Sequence, residues 1–142
     1  MKKVLTNAEV VKHYRVLKSF KSRPDIIPGD VNIFWSTSVN LNNLLKHIEM
    51  LDTVIKDIVN ANFTDENSHV ETINGKESKV FNDDVKTEMT RKLERELAAI
   101  DSKTVELDFE GIPEESLKEM FKKNESTLSM AEMETMSLFI DK

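Results

Sequence analysis

The stretch "LNNLLKHIEMLDTVIKDIV", Leu41–Val59, decides the fold class. Leu41, Leu44, Ile48, Leu51, Ile55 and Ile58 recur at spacings of three, four, three, four and three, which is one face of a helix. Leu45, Val54 and Val59 widen that face. About 25 residues at 1.5 Å each make a helix roughly 37 Å long. A seam this narrow needs a second helix against it.

A partner lies downstream. Val85, Met89, Leu93, Leu97 and Ile100 share one face of a helix expected from about Asp84 to Asp101, with Asn82, Asp83 or Asp84 as its cap. Between the two helices, "HVETINGKESKVF" carries Asn74-Gly75, a strong two-residue hairpin signal because both residue types tolerate positive φ. Residues 36–101 therefore read as a long antiparallel helical hairpin with a polar tip at 64–82, where a β-hairpin near 69–80 or a disordered tip is expected. Ser36 or Ser38 is the expected cap of the first helix.

Working outward, Val4 and Leu5 suggest a short strand, and "TNAE" (Thr6–Glu9) is a capping box opening a helix to about Phe20. Val10, Val11, Tyr14 and Leu17 form its expected apolar face. Ile26, Ile27, Ile33, Phe34 and Trp35 make the following connection too apolar for a free linker, so it is expected to pack on the core. Beyond the hairpin, Val105, Leu107 and Phe109 alternate with acids as a half-buried strand near 104–109. Pro113 can open a short helix with Leu117, Met120 and Phe121 inward, and "SMAE" (Ser129–Glu132) caps a last one carrying Met130, Met133, Met136 and Ile140. The two short strands are expected to pair. The class is thus α+β, mostly α. Residues 1–142 read as one domain: a basic strand-helix (1–23), the helical hairpin, and a strand plus two short helices (103–142).

Composition narrows the function classes. Hydrophobic residues are 39% and charged residues 32% of the 142-residue chain, a profile of an elongated helical protein whose core is completed by self-association into a homo-oligomer. Cysteine is absent, which excludes disulfides, thiol nucleophiles and thiolate metal sites and agrees with a reducing, cytoplasmic setting. No apolar run approaches a membrane span, so no membrane partner is expected. His13, His47 and His69 are too scattered for a metal site. Glu106, Asp108, Glu110, Glu114 and Glu115 read as a solvated edge, with no His, Lys or Asn motif beside them. "INGKES" lacks the first glycine of a phosphate loop. No catalytic residues, metal or cofactor are expected, and the protein reads as a non-enzyme.

The charge is uneven. The chain carries a net −6, yet residues 1–23 hold seven Lys/Arg against one acid, for +6, leaving −12 on the rest. "KHYRVLKSFKSR", Lys12–Arg23, concentrates the cations. Lys12, Arg15 and Lys18 form a spiralling ridge, continued by Lys21 and Arg23, and Tyr14 or Trp35 offers a ring for stacking. Two readings stand: a ligand site for a small phosphorylated molecule, or a solvated face paired with acids elsewhere in the chain. Duplex nucleic acid is disfavoured by the acidic bulk.

The layout resembles small uncharacterised proteins of tailed phages and prophages of low-GC Gram-positive bacteria. The resemblance rests on the opening "KKVLTNAEVV", the helical pair around a polar middle, the strand "KTVELDFEGI" and the closing "LFIDK". It implies a phage origin in a host bacterial cytosol and no particular activity. Small phage proteins without catalytic motifs often act by stoichiometric binding. The expected function is therefore counter-defence, by sequestering a nucleotide-derived immune signal at the basic helix. The alternatives are an inhibitor that binds a host defence complex through its acidic surface, or a phage structural or assembly factor.

Overall fold

The computed structural model describes residues 1–141; Lys142, the last residue of "LFIDK", lies outside the described residues. The elements run β1 (Lys2–Thr6), α1 (Asn7–Lys21), α2 (Val31–Asn62), β2 (Ser68–Ile73), β3 (Lys76–Phe81), α3 (Lys86–Asp101), β4 (Thr104–Asp108), β5 (Ile112–Pro113), α4 (Glu114–Lys123), α5 (Met130–Ser137) and β6 (Ile140–Asp141). The protein is mostly helical with small two-stranded sheets. It divides into two compact units: Met1–Ile48 with the chain from Thr104 onward, and Glu49–Lys103.

In the first unit β1 and β4 pair antiparallel, Lys2 opposite Asp108 and Thr6 opposite Thr104. Thr6 then caps α1 in the expected box: its hydroxyl accepts from Glu9 N, and the Glu9 carboxylate accepts from Thr6 N. The buried face of α1 is Val10, His13, Leu17 and Phe20. This is rotated from the expected face, leaving Val11 and Tyr14 half-buried. Leu17, Leu44, Ile112, Leu117 and Met120 are at most 1% exposed and centre the core. Each fully buried side chain of this kind is worth about 1.5–3 kcal/mol. Phe109 packs edge-on against Phe139, ring centroids 5.0 Å apart.

The start of α2 differs from expectation. The helix begins at Val31, not at a Ser36 or Ser38 cap. The Asp30 carboxylate accepts from the amides of Asn32 (3.0 Å) and Ile33 (3.1 Å) and so does the capping. Ser36 instead lies inside the helix, 2% exposed, and donates to Gly111 O at 3.0 Å. Asn40 Nδ2 donates to Glu110 O (2.9 Å) while Asn40 Oδ1 accepts from Glu110 N (2.7 Å), and Asn43 Nδ2 donates to Asp108 O (3.1 Å). Ser36, Asn40 and Asn43 therefore line one side of α2 and serve the extended backbone that follows β4. The end of the chain also differs. Ile140 is not on the last helix but in β6, which pairs in parallel with β5.

The second unit contains the later part of α2, the β2–β3 hairpin and α3. The hairpin closes at Ile73 opposite Lys76 over Asn74-Gly75, both at positive φ (51° and 79°). Phe63 stacks on Phe81 with centroids 4.1 Å apart, and Asn62 Nδ2 donates to Glu96 Oε2 at 2.6 Å. No residue of α3 is fully buried; Met89, Leu93, Leu97 and Ile100 are half-buried. The expected Asn or Asp cap is not used, for Val85 occupies the N-cap position and Asn82 bonds His69 and Glu66 instead.

Candidate functional site

The cations of α1 do not converge. Lys12 Nζ meets Glu134 Oε1 at 3.1 Å, an exposed pair worth at most about 1 kcal/mol. Lys18 lies over the Tyr14 ring at 5.8 Å, and Tyr14 itself is packed half-buried against the core. Arg15 has neither ion pair nor hydrogen bond among the described residues. Lys18 and Lys21 fall in the last turn, where positive charge offsets the helix dipole.

Arg23 is committed internally. Its guanidinium grips Asp25 through two nitrogens, reaches the Glu132 carboxylate and donates to Thr127 O at 3.0 Å. Bonding to Asp25 holds the Arg23 pKa above its usual value, and Arg23 in turn holds the Asp25 carboxyl below its usual range. Glu132 is buried, also accepts from Ser129 N, and keeps Oε2 without a partner among the described residues. Arg15 and Arg23 line a shallow cleft of about 380 Å³ together with Ser129 and Glu132.

Lys21 reaches the helix that carries Trp35. Lys21 Nζ donates to Ser38 Oγ at 3.0 Å. Phe34, Trp35 and Ser38 fall at i, i+1 and i+4, so they share the outward face of α2, and Val31 joins them one turn earlier. Val31 is 75%, Phe34 57% and Trp35 62% exposed, and Ile27 before them is 51% exposed. The apolar connection thus splits. Ile33 is buried and Ile26 packs against the core, as expected of both. Ile27, Phe34 and Trp35 do not pack inward, which corrects the expectation for the whole segment.

The local sequence explains why these side chains stay outside. Pro24 stops α1, and Pro28-Gly29-Asp30 starts α2. A Cβ on Gly29 would fall 2.6 Å from Ile33 Cγ1, so the tight entry requires glycine. Asn124, 1% exposed, holds both backbone polar groups of Ile27: its Oδ1 accepts from Ile27 N (2.7 Å) and its Nδ2 donates to Ile27 O (3.1 Å). Ser116 donates to Asp30 Oδ2 at 2.5 Å and is the main cause of the lowered Asp30 pKa, with the amides of Ile33 and Asn32 adding to it against burial. The corner is therefore pinned from α4 by polar side chains, and its apolar side chains are left facing solvent.

Below Phe34 lies a pocket of about 320 Å³. Phe20, Ile26, Pro28, Ile33, Phe34 and Met120 form its apolar walls, and Lys21 and Arg23 supply its charge. Thr37 also lines it; this residue is 4% exposed, and its Oγ1 has no hydrogen-bond partner among the described residues. No group of three or more His, Asp or Glu among the described residues is arranged to hold a metal ion. No helix among the described residues is long and apolar enough to cross a membrane.

As candidate site residues the sequence marks Trp35 and Lys21 but not Phe34, Val31 or Pro28. The signal was present: Val31, Phe34 and Trp35 at i, i+3 and i+4 form an apolar face opposite the Ile33, Asn40 and Leu44 side. The fold and this corner define a mostly helical α+β protein with a pinned, solvent-facing aromatic surface beside an apolar pocket. Comparison with protein-family models, curated proteins and solved structures finds no match.

Proposed function

We propose that the protein acts by stoichiometric binding and not by catalysis, and that its binding surface is the α1–α2 corner, where it takes an apolar segment of a partner protein. The observation that carries this reading is the exposure of Val31, Phe34 and Trp35 on a backbone clamped by Asn124 and Asp30, beside a pocket of about 320 Å³. Contiguous exposed aromatics on a charge-rich chain mark interaction sites. Burying each aromatic ring on a partner is worth about 1.5–3 kcal/mol, and a preformed surface keeps the ordering cost of binding low.

Sequestration of a nucleotide-derived signal stands as the second reading. It is favoured by Lys21 bonded to Ser38, one helical turn along α2 from Trp35. It ranks second because phosphate groups need several donors, and Arg23 is already shared by two carboxylates and a carbonyl. Under either reading, the resemblance to small phage proteins makes host-directed binding, including counter-defence, the proposed role.

A photo-cross-linking residue at position 35, with the more exposed position 130 as control, tests the first reading. A discrete protein adduct from 35 that disappears in Phe34→Ser supports it. A thermal shift with cyclic or ADP-ribose-type nucleotides, lost in Lys21→Ala, would favour the second instead.

A further inference from the structure

The charges around the corner are not equally available. Its carboxylates are engaged: Asp25 is bound by Arg23, and Asp30 takes two backbone amides and the Ser116 hydroxyl. Apart from Arg23, its cations are not neutralised. Arg15, Lys18 and Lys21 have no carboxylate partner among the described residues. They follow one another every three residues, so they span about 9 Å along α1 with a turn of about 60° between neighbours. This ridge ends at Lys21, whose ammonium is tethered to Ser38 on the same face of α2 as Phe34 and Trp35. A positive track therefore leads directly to an apolar socket.

Resting on the reading of the corner as a protein-docking surface, we infer that its partner is an acidic amphipathic segment. Its bulky apolar side chains seat on Phe34 and Trp35 and in the pocket, while its carboxylates run along Arg15, Lys18 and Lys21. Apolar contact provides most of the affinity, and the cation track selects sign and direction. A basic or neutral segment gains only the apolar part.

Trp35 is the sole tryptophan, so its emission reports the surface without a label. The probes are three 16-residue amphipathic peptides of Leu and Phe with Glu, Gln or Lys at the polar positions. The Glu peptide should shift Trp35 emission to the blue and bind about tenfold more tightly than the Gln peptide at low salt, as three modest surface ion pairs allow. That advantage should shrink as salt rises. Arg15→Glu with Lys18→Glu should abolish it while leaving the affinity for the Gln peptide unchanged; both residues are exposed and neither lines the pocket, and an unaltered circular dichroism spectrum confirms folding.

Equal binding of the Glu and Gln peptides, or tighter binding of the Lys peptide, would overturn the acidic partner and leave the docking surface standing. A blue shift that grows with protein concentration alone would overturn it in favour of a second copy of this chain. If no peptide moves Trp35, with Phe34→Ser indistinguishable from the parent, the docking surface itself is refuted.

Discussion

Replacing Asn40 with alanine should be among the most damaging single changes in the first unit. Asn40 is fully buried, and its amide completes both backbone hydrogen bonds of Glu110, at 2.9 and 2.7 Å. Alanine would strand a donor and an acceptor, each at a cost of about 1–3 kcal/mol, and would leave a small void. The sum is about 3–5 kcal/mol, a large share of the 5–15 kcal/mol typical of a domain. Urea unfolding followed by Trp35 emission reads the unit that contains both residues. With a urea slope of about 1–3 kcal/mol per molar, the midpoint should fall by about 2 M. Asn43→Ala is the control, because its single bond to Asp108 O is exposed, and the expected cost is below about 1 kcal/mol. A loss under about 1 kcal/mol for Asn40→Ala, or an equal loss at Asn43, would refute the view that the buried amide clamp holds this backbone in place.

Acid should destabilise the first unit before its carboxylates titrate. Burial, reinforced by Lys12 and opposed by Glu134 and Glu9, holds the His13 pKa below the usual imidazole value, and burial does the same at His47. Both stay neutral in the fold, so stability is complete above about pH 6.5 and falls as pH drops from there toward their folded pKa values. His13→Gln should flatten the urea midpoint between pH 7.5 and 5.5, with His47 supplying the slope that remains. Gly75→Ala places a Cβ at a φ of 79° and should cost about 1 kcal/mol, seen as faster amide exchange in β2 and β3 with α1 unchanged. Ser129→Ala removes a capping oxygen that accepts from Glu132 N and should cost about 1 kcal/mol by thermal melting.

The local signals of the sequence largely match the structure. Both capping boxes form at Thr6 and Ser129, because cap and partner lie three residues apart and need nothing else from the chain. The Asn74-Gly75 turn and the alternation in β4 follow for the same reason. The period of Leu41–Ile58 identified the helix, but its start was misplaced. Asp30 and Ser36 are both good caps by composition, and only the position of Gly111, 75 residues on, makes Ser36 an interior hydrogen-bonding residue.

The candidate site was legible in type and not in arrangement. Twelve residues showed a basic ridge on a capped helix, and local spacing established that much. Which cations would be consumed was decided by acids 109 and 122 residues away, at Glu132 for Arg23 and Glu134 for Lys12. Likewise, hydrophobicity alone predicted that Ile27, Phe34 and Trp35 would be buried. Asn124, 97 residues from Ile27, clamps the backbone so that they are not. Periodicity and the two capping boxes are properties of neighbours along the chain and were determined by the sequence alone. The pairing of charges and the facing of apolar side chains depend on which distant segments meet, and only the tertiary structure decided them.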